Sequence, residues 1–330
     1  MQIATAHVPT FSIVVPTCRR PDALAQCLER LAPGRQQGMA LAESADPGFA
    51  SYEVIVSDAG VEFTMEALLR ERFPWARWSP APRHGPGPNR NAGAKLAHGT
   101  WLAFVDDDCV PEPDWLQRLA AKAEAGVDVV EGAIHSPGLP DSPFWTAPEN
   151  LVGNAGWTAN LCVRRETFER LGGFDPDMNE VAEDVEFHLR SQREGCRWVF
   201  AADAVVIHPP RHLGWGGLWR ETLRMRCWFL LRLKTRCGPD IDAGALSVLR
   251  DVVASIVPLY CRMSWHFVRD LARGRSRLWR RDACLRLRDW ILLPVLVPYF
   301  WRWAMIYRHR LREKRLAAAA VDAACSLRSA

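Results

Sequence analysis

The ten cysteines form no C-x-x-C pair and no cysteine–histidine cluster at zinc-finger spacing, which argues against a structural zinc site or a disulfide framework. The opening MQIATAHVPTFSIVV has no basic n-region, and its apolar stretch is only Phe11 to Val15. It does not read as a secretory signal, so a reducing, cytoplasmic location is the expectation. Glycine-rich nucleotide loops are missing too. RHGPGPNRNAG has Arg90 where the third glycine of a dinucleotide fingerprint belongs, and PTCRRP after the first apolar run is no phosphate cradle. Together with the lack of a G-x-S-x-G elbow, this excludes a Rossmann dehydrogenase, a P-loop NTPase and an α/β serine hydrolase. Lysine is scarce, four of 42 basic residues, a bias that carries no functional weight.

What is present begins with 330 residues, 48% hydrophobic and 24% charged, with a mean hydropathy of -0.13. This is a folded chain of roughly two domains rather than a polytopic membrane protein. The net charge of +4 conceals two opposed parts. Residues 1–210 carry 18 basic and 29 acidic side chains, a charge of -11, whereas residues 211–330 carry 24 and 9, a charge of +15. A segment that basic meets an anionic partner.

Apolar β-branched runs alternate with helical patterns through the first part. FSIVV (11–15) predicts a strand and 21–31 a helix. YEVIVSDAG (52–60) predicts a strand ending at Asp58, with a helix over 63–73 and a brief strand near 75–79. A helix over 90–98 stops at Gly99, WLAFV (101–105) is a strand, and so is 127–132. Residues 137–157 read as irregular, 180–193 as a helix and AVVIH (204–208) as a strand. That order predicts an α/β fold with a doubly wound, mainly parallel sheet, whose ligands bind beyond the carboxyl ends of its strands. The expected organisation is a catalytic domain over 1–210, with the donor region in 11–132 and the acceptor and base region in 133–210. A helical, basic segment follows over 211–330. There, Trp219, Leu223, Cys227 and Leu230 make an apolar stripe, and 290–307 is apolar apart from Arg302, with Pro294 and Pro298 inside it. Trp, Tyr and Arg in such a stretch suit a helix at a membrane interface.

Asp106, Asp107 and Asp108 follow the strand 101–105. Three adjacent carboxylates cost free energy unless a cation or protons compensate them. If the strand continues through them, Asp106 and Asp108 share one face and Asp107 takes the other. The pair suits Mg²⁺ or Mn²⁺. A solvated acidic turn also fits an isolated triplet, but the apolar strand before it and the neighbouring Arg90 and Asn91 favour a cation and phosphate site. Glu183 and Asp184 open a helix, where the dipole favours acid, and the LGGFDPDMN turn before them would hold that end near the site. His208 closes a strand, either as a metal ligand or as a satisfied strand-end histidine. Trp157, Asn160 and Arg165 are candidates for the acceptor side.

Taken in order, IVVPTCRRPDALAQCL, YEVIVSDAG, NRNAGAKLAHGTWLAFVDDDCVPEPDWL, NLCVRRETFERLGGFD, AEDVEFHLRSQREG and AVVIH resemble the bacterial family 2 glycosyltransferases. The resemblance covers roughly residues 11–210 and implies a GT-A fold, a mixed but mainly parallel sheet flanked by helices. It implies transfer of a sugar from a nucleotide-diphosphate donor, UDP-linked by family prevalence, with inversion. By the same resemblance Pro16, Thr17 and Arg19 meet the nucleotide, Asp58 bonds the base, and Arg90 and Asn91 lie beside the diphosphate. Asp106 and Asp108 match the D-x-D, with Asp108 the direct metal ligand and Asp107 near the ribose. Asp184 matches the general base, with Glu183 before it, and His208 a metal-facing histidine. The sequence departs from the family's D-x-G-S at Asp58-Ala59-Gly60-Val61. The implied acceptor is a glycan or lipid-linked hydroxyl, in surface polysaccharide or glycolipid synthesis on the inner face of the plasma membrane. The basic segment would bind the anionic leaflet, with insertion of its apolar stretch a further option, and no nucleic-acid partner is expected. The competing expectations are a sugar-phosphate nucleotidyltransferase and a non-catalytic membrane or nucleic-acid adaptor.

Overall fold

The computed structural model describes residues 10–42, 50–178, 180–236, 245–274 and 279–328. The chain divides into two compact units, Met1–Leu139 with Thr146–Arg211, and Pro140–Trp145 with His212–Ala330. Through the donor half the elements are β1 (Phe11–Thr17), α1 (Pro21–Leu31), β2 (Ala40–Leu41), β3 (Ser51–Asp58), α2 (Glu66–Arg72), β4 (Arg77–Pro80), α3 (Pro86–Ala94), β5 (Trp101–Phe104), β6 (Val110–Pro111), α4 (Trp115–Lys122) and β7 (Val129–His135). Then come β8 (Trp145–Thr146), β9 (Leu161–Arg164), α5 (Arg165–Arg170), α6 (Glu183–Arg193), β10 (Trp198–Ile207), β11 (Arg211–His212), α7 (Gly214–Arg236), α8 (Ala245–Ala272) and α9 (Trp279–Arg328).

In the first unit, nine strands form one sheet in the order β2-β3-β1-β5-β9-β7-β10-β6, with β4 also on β3. β1 pairs in parallel with both β3 and β5, and β7 in parallel with β10. β9 runs antiparallel between β5 and β7. The sheet is therefore mixed and mainly parallel, as the α/β alternation implies. Chain order reverses at β1, whose carboxyl end is where such sheets bind ligands. Both faces of the sheet are covered, so its central strands are apolar throughout. Ile13 and Val15 join Leu24, Leu28 and Leu31 of α1 and Trp115 and Leu119 of α4 on one side. Val14, Ile55 and Phe104 join Phe168, Phe174 and Phe187 on the other. The ring centroids of those last four phenylalanines stand 5.2–5.5 Å apart, fixing α6 over the end of β5. Gly93 lets α3 lie flat on the sheet, because a Cβ there would stand 2.6 Å from Val14 Cγ1.

Several elements depart from the sequence expectation. α3 begins at Pro86 rather than Arg90, with proline in the first turn, where its missing N–H costs nothing. α2 starts at Glu66, because Asp58 accepts the Met65 N–H and holds the preceding turn. β10 begins at Trp198, six residues before the expected strand, and continues through a register shift between Ala201 and Val205. α4, β9 and α5 were not foreseen. β5 stops at Phe104, so the aspartates lie in a turn closed by Cys109 N–H to the Asp106 carbonyl, 3.0 Å.

In the second unit, α9 contains Pro294 and Pro298. Within it, residues Arg280–Arg310 are long and apolar enough to cross a membrane, by length and composition. Arg226 lies 4.3 Å over the Trp303 ring and donates to Tyr299 Oη at 3.1 Å, joining α7 to α9. Asp289 is buried, with Arg288 at 2.7 Å and Arg286 at 3.5 Å. Cys227 and Leu230 of the expected stripe are buried, whereas Trp219 is exposed.

Two polar residues inside the first unit hold its loops. Glu131 is buried in β7 and takes the Asn150 side-chain amide and the backbone N–H groups of Asn154, Ala155 and Gly156, all at 2.6–2.9 Å. Asn160, expected at the acceptor, is instead fully buried. Its Nδ2 donates to the Ala133 and Ala204 carbonyls and its Oδ1 accepts from Trp115 Nε1, each at 2.8 Å. A three-way tie of this kind leaves nothing for a substrate. Asn160→Ala should leave the Trp115 N–H and two carbonyls unpaired and cost about 3 kcal/mol, read as a lower urea midpoint at unchanged slope. A loss below about 1 kcal/mol would show that the tie is not structural.

Candidate active site

Three strand ends and one helix start converge. β1 delivers Thr17, whose Oγ1 donates to Asp107 Oδ2 at 2.7 Å. β3 ends at Asp58. The turn after β5 carries Asp106 to Asp108, and each points differently: Asp106 to Arg90, Asp107 to Thr17 and Arg20, Asp108 to Arg20 and His208. The shared face expected of Asp106 and Asp108 fails because a turn has no period of two.

Arg90 is the centre of the arrangement. Only 4% exposed, it gives Nη1 to Glu183 Oε1 at 2.6 Å and Nη2 to Asp106 Oδ1 at 2.5 Å. It thereby ties the turn after β5 to the start of α6. Its Nε–H has no hydrogen-bond partner among the described residues. Asn89 beside it donates to the Thr17 carbonyl at 3.2 Å, and its own carbonyl accepts from Ser57 Oγ at 2.7 Å, so α3 also binds the ends of β1 and β3. Ala182, just before Glu183, has φ 70°, a left-handed backbone that costs an ordinary residue about 1–2 kcal/mol. Such strain persists only where the surroundings impose it. Here Glu183 is held by Arg90, which aims the first turn of α6.

These carboxyls do not share one proton affinity. Burial opposes ionisation of Asp106, but the Arg90 guanidinium outweighs it and holds the group below the usual range. Asp107, 1% exposed, is pushed up to about 7 by burial, with Asp106 and Asp108 adding to the rise and Arg20 opposing it. Asp184 is pushed up to about 7 by burial and the adjacent Glu183. Glu183 is raised by burial against the pull of Arg90.

Pairing of β6 with β10, Val110 to Ile207, brings Asp108 beside His208. His208 Nε2 stands 3.4 Å from Asp108 Oδ1, and its Nδ1 lies 3.1 Å from the Pro209 carbonyl. An Nδ1–H donated there leaves the Nε2 lone pair facing Asp108. Ligand atoms of Asp108, Cys109 and His208 lie within 4.8 Å of one another. Carboxylate with neutral imidazole suits a divalent ion such as Mn²⁺, so the residues fit a metal. Asp106, expected as a second ligand, is turned to Arg90 and lies outside this group.

A sheet of this topology, with acid at the carboxyl ends of its strands, agrees with two family models. That of glycosyl transferase family 2 matches residues 12–175, and that of glycosyl transferase family group 2 matches residues 101–307. The chain belongs to the family 2 glycosyltransferases. It is 32% identical over 232 residues to the O-antigen biosynthesis protein RfbC of Myxococcus xanthus, covering 61% of this chain but 17% of that protein. It is 26% identical over 253 residues to the glycosyltransferase AglE of Haloferax volcanii, covering 70% and 78%. Among solved structures it is similar to the mannosyltransferase PcManGT of Pyrobaculum calidifontis in complex with GDP-Man and Mn²⁺. That likeness has a TM-score of 0.52 at 17% identity and covers 91% of this chain and 86% of that one. It concerns the fold alone.

Within this glycosyltransferase several expected residues are engaged elsewhere. Asp58 is fully buried and accepts from Gly60 N, Met65 N and Trp78 Nε1 at 2.6–3.1 Å, holding the turn after β3. The Asn91 amide is clipped to both backbone groups of Phe174, at 2.8 and 2.9 Å. Gly173 leaves room for that clip with φ 71° and a Cβ position 2.7 Å from Asn91 Oδ1. Arg165 bonds the Gly99 carbonyl at 2.8 Å; antiparallel β9 carries it to the amino end of β5, away from the aspartates. Trp157 packs against the core. Pro16 is buried in β1, and Arg19, with φ 58°, is exposed beside Glu62 at 3.6 Å. Arg90, expected beside the diphosphate, is turned inward, with one bond from each terminal nitrogen to a carboxylate. The residue missed in the sequence is Arg20, which bonds Asp108 Oδ2 at 2.5 Å and Asp107 Oδ1 at 3.2 Å. Its only sequence signal was the second arginine of PTCRRP.

Arg90→Met should cost about 3–5 kcal/mol, the usual penalty for removing one partner of a buried ion pair. Denaturant unfolding of the full chain measures it, and a cost below about 1 kcal/mol would show that Asp106 and Glu183 do not depend on Arg90.

Proposed function

We propose that the protein moves a glycosyl group from a nucleoside diphosphate sugar to a hydroxyl of a glycan or lipid-linked acceptor, by one displacement with inversion. The observation that carries this reading is Asp184. A carboxyl raised to about 7 opens α6, on a helix end that Arg90 ties to the aspartate turn. A base with that affinity is half ionised near neutrality, where proton transfer is most effective. Asp184 takes the proton of the attacking hydroxyl. Asp108 and His208 would hold a divalent ion, Mg²⁺ or Mn²⁺, which when bound neutralises charge developing on the departing diphosphate. Thr17 at the end of β1 and Arg20 at the start of α1 both bond Asp107. Asp58 and Asn91 act by shaping the walls.

Membership in a glycosyltransferase family favours this reading over the nucleotidyltransferase and adaptor alternatives. Support for a role in surface polysaccharide or glycolipid synthesis comes from the O-antigen biosynthesis relative. The resemblance favours a UDP-sugar, while the Pyrobaculum calidifontis fold neighbour is in complex with GDP-Man; thermal stabilisation by UDP-, GDP- and dTDP-sugars with Mn²⁺ decides between them. The +15 segment and α9 support docking on an anionic cytoplasmic leaflet, each basic residue near the surface adding about 1 kcal/mol.

Asp184→Asn should keep donor binding and lose about 10²-fold or more in kcat. In the wild type kcat/KM should rise with pH up to about 7 and then level off, falling about tenfold per unit below it, because only the ionised base accepts a proton. Near-normal turnover by the variant would remove Asp184 from the mechanism. The full chain should also float with anionic liposomes and lose them as salt rises; flotation indifferent to both lipid charge and salt would rule out charge-driven docking.

A further inference from the structure

Two arginines serve the acidic cluster, and they differ in freedom. Arg90 is buried between two carboxylates, whereas the Arg20 side chain is 45% exposed and stands at the rim, on the residue that caps α1. Arg20 reaches inward because Arg19 before it takes a left-handed backbone and Pro21 after it begins the helix. Its Nη1 holds Asp108 Oδ2, the oxygen opposite the one facing His208. The carboxylate that would ligate an ion is thus the one that the half-exposed guanidinium holds.

We propose that Arg20 is an exchangeable cation of the site: it competes with the divalent ion for Asp108 and, once displaced, turns its guanidinium to the diphosphate of the donor. This rests on the glycosyltransferase reading. The ground is charge and reach. A guanidinium and a divalent ion at one carboxylate repel each other, and two sites coupled in this way commonly alter each other's affinity several-fold. A half-exposed arginine one side chain from the ion is placed to meet phosphate oxygens, for which its planar fork is suited. The exchange makes ion and nucleotide binding mutually supporting, since the guanidinium that opposes the ion is drawn away by the anion that follows.

The test uses the full-length protein, free Mn²⁺ by electron paramagnetic resonance, and UDP and GDP as probes. Arg20→Gln should bind Mn²⁺ alone about tenfold more tightly than the wild type. At saturating Mn²⁺ it should bind the preferred nucleoside diphosphate about tenfold more weakly. Arg20→Lys keeps the charge and loses the fork, so its Mn²⁺ affinity should stay within about threefold of wild type while nucleotide binding falls. Unchanged or weaker Mn²⁺ binding by Arg20→Gln would overturn the proposal, as would Arg20→Lys matching Arg20→Gln for the ion. Unchanged nucleotide affinity in both variants would equally overturn it. Wild type that binds neither Mn²⁺ nor either nucleotide would overturn the glycosyltransferase reading as well, whereas binding by the wild type with indistinguishable variants defeats this inference alone.

Discussion

The double ion pair of Arg90 with Asp106 and Glu183 is the contact on which the site depends. It joins a turn at the end of the sheet to a helix start about 80 residues further along the chain, through a guanidinium and a Glu183 carboxylate that are both buried. The aromatic cluster of Phe104, Phe168, Phe174 and Phe187 brings the same two elements together by packing. Packing of that kind sets distance loosely, because apolar contacts have little directional preference. The guanidinium fork sets direction. Asp184, the next residue after Glu183, takes its position from that fork.

The site also concentrates more acid than its cations balance. Asp106, Asp107, Asp108, Glu183 and Asp184 face Arg20, Arg90 and a histidine. Burial turns the excess into raised proton affinity at Asp107 and Asp184. One physical cause thus underlies both the raised carboxyls and the local excess of negative charge on which the proposed base and metal site rest. The sequence keeps this acidic site apart from its basic segment, residues 211–330.

Much of the fold was legible in the residues. β-branched runs marked β1, β3 and β7, an apolar run marked β5, and the leucine spacing of α1 marked its buried face. α3 was misplaced because prolines at 86 and 88 read as loop, although proline in a first helical turn is a start signal. β9 escaped because four residues, Leu161–Arg164, are too few to show a period, and its antiparallel direction then sent Arg165 to the other end of the sheet. The aspartates stand out in the sequence, but β5 ends at Phe104, two residues before Asp106, so strand alternation does not extend to them. Nothing local distinguishes Arg20 from Arg19. Which of two adjacent arginines turns inward is decided by one backbone angle, and that angle is a property of the fold around it.

The loop that Glu131 holds is fastened by backbone N–H groups at Asn154, Ala155 and Gly156 and by the Asn150 amide, while Leu151 and Val152 at its tip are exposed. Attachment through main chain does not depend on which side chains the tip carries. The residues at 151 and 152 can therefore drift over evolutionary time without unfastening the loop, so this edge of the protein is free to diversify while the sheet beneath it stays fixed.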